Sequence, residues 1–375
     1  MNSFKILKKS CLASLEDELI KPIINVVNTY IAKIEKYKAY TYTSFKELTI
    51  NKECSFNVIE PNMHMNKLKP FKGLISDISI KNFKTNVLSI IELNDKRIAT
   101  AGADGSISVI SINIEKKIWS HEIKKENAHD DEINCLCELH HNILISCSDD
   151  KLIKIWKVTS NDLILDKTLS NHTANIRKVI SLSQNKFASC SQDFTIRIWN
   201  SISPYQQLTV IDLKHKVYSI IQLSKHDLLI ASSSERCIQF WNVNTCKKEH
   251  SIKEIYTLDS LGMIELDNGY VAVSSDIEGY PIVIIDCVHY LVVKKICNEE
   301  FIPCGSSLCA CSKEFFIYVC NGCFLQISAE DYVVLHKSKN EEKLFGNNGI
   351  VSISNGKYFI VDNYSDGLDV LCPYY

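Results

Sequence analysis

The residue types that could support hydrolytic chemistry occur twice in this chain. The two sets are His129, Ser146 and Asp150, and His172, Ser189 and Asp193. Serine, histidine and aspartate together can supply a nucleophile, a general base and an orienting acid. Neither serine lies in a Gly-x-Ser-x-Gly sequence, however. A repeat that needs the same side-chain contacts twice explains the recurrence better than two active sites do.

Cysteines offer a second candidate chemistry near the C-terminal end of the sequence. The residues concerned are Cys309, Cys311, Cys320 and Cys323. Four thiolates can bind zinc, and a C-x-x-C pair can be redox active. The intervening Asn321-Gly322 instead indicates a hairpin turn, because both residues tolerate positive φ. The upstream C-x-C spacing is not that of a zinc ribbon. We therefore predict a structural role, no metal site and no cofactor, with zinc and redox chemistry as alternatives.

The sequence contains an internal repeat, and the candidate serines and aspartates lie in two of its copies. Similar twelve-residue segments are ISCSDDKLIKIW at 145–156, ASCSQDFTIRIW at 188–199 and IASSSERCIQFW at 230–241, with a weaker copy at 99–110. Self-similarity at a period of about 40–45 residues is typical of rings and stacks of small sheets. The repeat therefore predicts a binding platform in preference to an enzyme.

Further units follow Trp241 with the rhythm but without the signature. They lie at 271–286, 315–328 and 357–372, which brings the predicted total to seven units of four short antiparallel strands. The sequence ends before the seventh unit has its fourth strand. We predict that the segment 72–80 supplies this strand and closes the ring, since closure removes the exposed sheet edges.

Residues 1–60 have a different pattern. Apolar residues recur there at steps of three and four between positions 11 and 47, which predicts helix. Docking of this helix or bundle formation is favoured over a parallel coiled coil, because few heptads are sustained. Such a helix could also allow the protein to self-associate. Residues 61–71 are predicted to be a linker, and residues 72–375 to form the repeat domain.

Composition restricts the class of partner and the compartment. The formal net charge of −2 does not favour a nucleic-acid binder. The sequence contains no run of about 18 apolar residues, so we predict no membrane span. No signal peptide is recognisable at the N-terminus. The 16 cysteines are expected to be small buried hydrophobes in a reducing compartment. We predict a cytoplasmic location, with the nucleus as the alternative.

The repeat segments resemble the WD40 repeat family. The resemblance implies an all-β fold, a seven-bladed WD40-type β-propeller, to which the N-terminal α-helical extension is added. In that family a buried tetrad of His, Ser or Thr, Asp and Trp stabilises each repeat. The matching positions are His129, Ser146, Asp150 and Trp156 in the second unit, and His172, Ser189, Asp193 and Trp199 in the third. In the fourth unit Ala231 and Glu235 replace the serine and aspartate, and Trp241 is kept.

The resemblance also implies a partner-binding face. Its matching positions are Glu132, Asn134 and Asp149 in the second unit, Asn175, Arg177 and Gln192 in the third, and Lys216, Tyr218 and Ser234 in the fourth. Arginine and tyrosine are residue types that commonly anchor interfaces. For any single position, an ordinary solvated loop residue is the alternative interpretation.

We therefore predict a non-catalytic scaffold or adaptor that presents a propeller face to proteins or peptides. A ubiquitin-ligase substrate receptor is an alternative, which is weakened because no unit ends in the W-D-x-R cue of such receptors. The unit endings are Trp156-Lys, Trp199-Asn and Trp241-Asn. A propeller-fold hydrolase is the least favoured alternative.

Overall fold

The computed structural model describes residues 73–80, 86–140, 142–224, 228–233, 237–253, 255, 262–277, 280–296, 307–310, 314–320, 323–337, 350–353, 358–363 and 367–374. Every regular element in these ranges is a β-strand. The strands form seven four-stranded antiparallel sheets. We number the sheets 1 to 7 in chain order of their innermost strands.

Each of sheets 1 to 3 consists of four consecutive strands joined by short turns. Sheet 1 contains β2 (Val87–Glu92), β3 (Ile98–Gly102), β4 (Ile107–Asn113) and β5 (Ile118–Lys125). Sheet 2 contains β6 (Ile133–Glu138), β7 (Ile143–Ser148), β8 (Ile153–Val158) and β9 (Leu163–Leu169). Sheet 3 contains β10 (Ile176–Leu182), β11 (Lys186–Ser191), β12 (Thr195–Asn200) and β13 (Gln207–Asp212).

Sheets 4 to 6 repeat the same consecutive order. Sheet 4 contains β14 (Val217–Gln222), β15 (Leu228–Ser233), β16 (Cys237–Asn242) and β17 (Lys248–Lys253). Sheet 5 contains β18 (Met263–Glu265), β19 (Val271–Ile277), β20 (Tyr280–Asp286) and β21 (Leu291–Ile296). Sheet 6 contains β22 (Ser307–Ala310), β23 (Phe315–Cys320), β24 (Cys323–Ser328) and β25 (Val334–Lys337).

Sheet 7 combines strands from two distant parts of the sequence. It contains β26 (Ile350–Ile353), β27 (Tyr358–Asn363) and β28 (Gly367–Tyr374), and its fourth strand is β1 (Gly73–Ile80). Strand β1 pairs antiparallel with β28 over the whole length of β1, from Gly73 opposite Tyr374 to Ile80 opposite Leu368. Ile78 and Ile80 of β1 are buried, so the strand contributes to the core as well as to the sheet.

The first strands of the sheets form a closed cycle. Contacts run between β2 and β6, β6 and β10, β10 and β14, β14 and β18, β18 and β22, β22 and β26, and β26 and β2. Because the innermost strands return to their starting point, the sheets surround a central channel and the fold is a β-propeller.

The core lies between neighbouring sheets. In the described ranges, seven clusters of buried residues each combine side chains from two adjacent sheets. Cys147 and Ile153 of sheet 2, for example, pack with Phe187 and Trp199 of sheet 3. Each sheet is apolar on both faces because its strands are rich in isoleucine and valine, which suit the pleated, buried surface of a strand.

The predicted fold class needs a correction, because it included an N-terminal α-helical extension. The described residues contain strands and no helix, so the fold that can be stated is an all-β propeller. The predicted helix at 1–60 and the linker at 61–71 lie outside the described residues. Within the described ranges, no helical segment is present that has the length and apolar character to cross a membrane.

Candidate functional site

A buried chain of hydrogen bonds links four side chains of sheet 2. The indole Nε1–H of Trp156 donates to Ser146 Oγ over 2.8 Å. Ser146 Oγ lies 2.7 Å from His129 Nε2, and His129 Nδ1 lies 2.7 Å from Asp150 Oδ2. Since the indole can only donate, the hydroxyl hydrogen is left for His129 Nε2, and Nδ1–H then donates to the carboxylate. The polar groups of Trp156, Ser146 and His129 thus each have a partner within this tetrad.

Sheet 3 contains the same arrangement. Trp199 Nε1 donates to Ser189 Oγ over 2.9 Å, Ser189 Oγ is 2.8 Å from His172 Nε2, and His172 Nδ1 is 2.7 Å from Asp193 Oδ2. Burial lowers the pKa of His172 below its ordinary value despite the neighbouring Asp193 carboxylate. The imidazole of His172 is therefore neutral at pH 7, as this hydrogen-bond pattern requires.

The aspartates of the two tetrads also fix the turns between β7 and β8 and between β11 and β12. Asp150 Oδ1 accepts from Leu152 N, and Asp193 Oδ1 accepts from Thr195 N. Burial opposes ionisation of Asp193, but hydrogen bonds from His172 and Thr195 outweigh it, and its pKa is lowered. The pKa of Asp150 is lowered in the same way, with burial opposed chiefly by the hydrogen bond from His129. Both carboxylates therefore remain charged at neutral pH.

The burial of Ser146 and Ser189 bears on the hydrolase alternative. Both serines are fully buried, and each hydroxyl is held between an indole and an imidazole. A nucleophilic serine must reach a substrate carbonyl, and these two hydroxyls cannot do so in this structure. The geometry assigns both tetrads to the stability of the sheets.

In sheet 4 the indole N–H of Trp241 has a different hydrogen-bond acceptor, because Ala231 stands where sheets 2 and 3 have the tetrad serine. Trp241 Nε1 donates to Oε1 of Gln239, a buried side chain on the same strand, over 3.2 Å. Trp241 is half-buried, and a polar group that is buried without a partner costs about 1–3 kcal/mol. Gln239 thus replaces part of the tetrad, and the sequence analysis did not identify this residue.

The bulge face is defined by a β-bulge that recurs at the start of the innermost strand in sheets 1 to 4. The pairing register of each of these strands shifts there by one residue. The extra residues are Leu88, Asn134, Arg177 and Tyr218, and all four are half-buried. We use "bulge face" for these four residues together with Asp149. A bulge re-aims the side chain of the extra residue and is common beside functional sites.

Side-chain contacts connect the bulge face across the boundary between sheets 2 and 3. Asn134 Nδ2 donates to Asp149 Oδ1 over 2.6 Å and to the carbonyl oxygen of Ile176 over 2.9 Å. Arg177 NH1 lies 3.8 Å from the same Asp149 oxygen. The side chains of Arg177 and Asp149 are only 21% and 18% exposed. Asp149 therefore fixes the positions of the residues at two adjacent bulges.

The remaining predicted face residues lie beside these bulges. Glu132 and Asn175 precede the innermost strands β6 and β10, and their carbonyl oxygens accept from the backbone N–H groups of Asp149 and Gln192. Lys216 precedes β14 and is exposed. Ser234 lies outside the described residues. The structure thus brings Asn134, Asp149 and Arg177 into contact and supports their positions through backbone pairing.

Two sets of residues, one at each end of the innermost strands, could not be identified from the sequence. Leu88 is the sheet 1 member of the bulge face, and only the register of β2 against β3 identifies it. At the opposite end of the innermost strands, a terminal side chain bonds to a turn of the preceding sheet. The pairs are Glu138 with Asn94 N at 2.7 Å, Gln222 with Ser183 N at 3.1 Å, and Glu265 with Ser224 N at 2.7 Å.

In the described ranges, no group of three or more His, Cys, Asp or Glu side chains is arranged to hold a metal ion. Cys320 ends β23, Cys323 begins β24, and the two residues are opposite each other in register. This pairing is that of a hairpin. Cys311 lies outside the described residues, and Cys309 is buried.

The comparisons with known proteins identify repeats and fold. The WD40 family model (WD domain, G-beta repeat) matches residues 121–157 and 164–200, and each of these ranges contains one complete tetrad. The WD40 β-propeller domain of Doa1, known from a crystal structure, is similar in fold with a TM-score of 0.64 and 16% sequence identity. The match covers 80% of this chain and 97% of the Doa1 chain. No curated protein sequence matches the chain significantly.

Proposed function

Because the chain carries WD40 repeats on a β-propeller, we propose that it is a non-catalytic scaffold that binds a protein or peptide segment on the bulge face. The observation that carries this proposal is the polar contact of Asn134, Asp149 and Arg177 across two sheets. These side chains are partly buried and already positioned. Binding to a preformed surface loses less conformational entropy than binding to mobile side chains does.

The composition of the bulge face supports a mixed polar and apolar partner. Arg177 supplies a cation, Tyr218 an aromatic ring and Leu88 an aliphatic side chain, while Asn134 offers an amide. Arginine and tyrosine are enriched among residues whose truncation costs most binding energy. A segment that lies across the mouth of the channel could contact all of these side chains. A cytoplasmic or nuclear location remains part of this proposal.

Proximity labelling with wild-type protein and an Arg177→Ala/Tyr218→Ala variant tests the proposal. We expect the variant to lose a specific set of labelled proteins that the wild type retains. A matched control is Ile164→Ala/Lys167→Ala on the outermost strand β9, where both side chains are exposed. Circular dichroism melting would show that both variants are folded. Identical partner sets for the wild type and the Arg177/Tyr218 variant would contradict binding at this face.

A further inference from the structure

Two cysteines of sheet 2 lie directly opposite each other. Cys135 on β6 and Cys147 on β7 are register partners, immediately after the bulge at Asn134. Both are free thiols. Opposite residues of antiparallel strands have Cα atoms about 4.5–5.5 Å apart and side chains on the same side of the sheet. A disulfide spans about 4.4–6.8 Å between Cα atoms, so the pairing is compatible with a bond.

The two thiols differ in their access to solvent. Cys147 is fully buried between sheets 2 and 3, where Ile145 and Ile153 pack in the same cluster. Cys135 is half-buried on the innermost strand, which borders the channel. Its Sγ lies 3.5 Å from the carbonyl oxygen of Val179 on the innermost strand of sheet 3. Of the two cysteines, Cys135 is therefore the less buried.

The surroundings of the two thiols also shift their pKa values in opposite directions. The hydrogen bond from Cys147, opposed by burial and aided by the charge of Lys178, lowers the pKa of Cys135. Burial raises the pKa of Cys147 well above its usual value. The thiolate is the reactive form of cysteine. Cys135 is therefore the more acidic of the two thiols and the better placed to act as the nucleophile, whereas Cys147 is its protonated neighbour.

We propose that Cys135 and Cys147 form a reversible oxidation site, in which Cys135 reacts with a small hydroperoxide and Cys147 completes a disulfide. The Cys135 thiolate attacks the terminal peroxide oxygen, and the O–O bond breaks. Cys135 becomes a sulfenic acid, and the released alkoxide or hydroxide takes a proton. Cys147 sulfur then attacks the sulfenic sulfur and displaces hydroxide, which leaves as water with the Cys147 proton. The two thiols lose two electrons, and the peroxide gains them.

Two nearby cysteines provide internal controls. Cys137 lies two residues beyond Cys135 on the same strand and is opposite Ile145 instead of a cysteine. Cys190 occupies in sheet 3 the position of Cys147, but its register partner is Lys178. Burial raises the pKa of each of these thiols to about 12. Both are expected to remain thiols under mild oxidation.

Limited treatment of the full chain with hydrogen peroxide at pH 7, followed by iodoacetamide in a denaturing concentration of urea, where buried thiols also react, and by mass spectrometry, tests the proposal. Cleavage after Glu138 with Glu-C protease separates the peptide of Cys135 and Cys137 from that of Cys147. We expect a disulfide between these peptides, loss of alkylation at Cys135 and Cys147, and full alkylation at Cys137 and Cys190. Dithiothreitol should restore alkylation. Wild-type protein in which Cys147 stays fully alkylated, or in which Cys137 supplies the bond, would overturn the proposal.

Two variants separate the steps. In Cys147→Ser, the sulfenic acid of Cys135 should persist and react with dimedone, whereas Cys135→Ser should leave Cys147 alkylated at its initial level after peroxide. A Cys137→Ser variant should form the same disulfide as the wild type. Because Cys135 and Cys137 lie in the same Glu-C peptide, this result would assign the bond to Cys135. Equal oxidation of Cys147 in the presence and absence of Cys135 would contradict the proposed order.

Discussion

The indole nitrogen of Trp156 and the hydroxyl oxygen of Ser146 are 2.8 Å apart, and both side chains are buried. Trp156→Phe removes the donor while retaining most of the packing. We expect this variant to lose about 1–3 kcal/mol of unfolding free energy in urea, since a buried polar group loses a partner. Trp119→Phe, at a partly exposed position on β5, should cost less. Equal losses would contradict the assignment of the tetrad as a buried hydrogen-bond chain.

The lowered pKa values of Asp150 and Asp193 predict acid sensitivity. Each carboxylate stabilises the folded state fully above the pKa of an unfolded aspartate, about 3.9. This contribution is lost as the pH falls through the lower folded-state pKa. The difference in unfolding free energy between wild type and Asp193→Asn should therefore shrink as the pH falls below about 4.

The control for that experiment is Glu115→Gln, which removes one negative charge at an exposed turn. Melting of the three proteins between pH 7 and pH 3 would make the comparison. A constant difference between wild type and Asp193→Asn over this range would show that the Asp193 carboxylate does not stabilise the fold through its charge.

Lys151 adopts a left-handed backbone conformation, with φ of 70°, in the turn after Asp150. Side chains are strained in this region, and glycine is not. Lys151→Gly should raise the unfolding free energy by about 1 kcal/mol. Lys157→Gly, within strand β8, should lower it because glycine weakens a strand interior. Destabilisation by Lys151→Gly would show that its side chain makes a stabilising contact.

Strand β1 should be required for the whole ring. Its inward residues Ile78 and Ile80 are buried, whereas Ser79 between them is exposed. Ile80→Asp buries a charge beside apolar side chains and should lower the melting temperature strongly. Ser79→Asp should have little effect. Similar melting of the two variants would mean that β1 is not part of the cooperative structure.

Glu265 connects sheet 5 to sheet 4 by accepting from both Ser224 N and Ser224 Oγ. Glu265→Ala should lower the unfolding free energy by about 1 kcal/mol, since the backbone N–H loses its acceptor. Glu265→Gln retains an acceptor and should preserve most of the stability. Chemical denaturation of both variants would measure the difference, and equal losses would show that charge, not hydrogen bonding, matters there.

The repeat predicted local structure well, because each turn and strand depends on nearby residues. The segment 271–286 is predicted as a further repeat unit of short strands, and the structure contains β19 and β20 there. Leu88 was not identified because its position depends on a register shift that the sequence does not reveal. The Glu138 contact was missed because it joins residues 44 positions apart through the curvature of the ring.

The substitutions in sheet 4 illustrate a different limit. Ala231 indicated that the tetrad was incomplete, but the replacement donor–acceptor pair of Trp241 and Gln239 depends on side-chain directions within one strand. A pattern match records the missing serine, whereas the structure shows how the indole remains satisfied. Loss of the serine therefore does not leave the Trp241 indole without an acceptor.

The pairing of β1 with β28 gives the propeller a defined response to mechanical force. Gly73 and Tyr374 are opposite each other at one end of this ladder. Tension between the chain before Gly73 and the chain at Tyr374 would load the hydrogen-bonded pairs one after another, as in a zipper, and not all together in shear. The ring should therefore open under low force at sheet 7 while the other sheets keep their pairing.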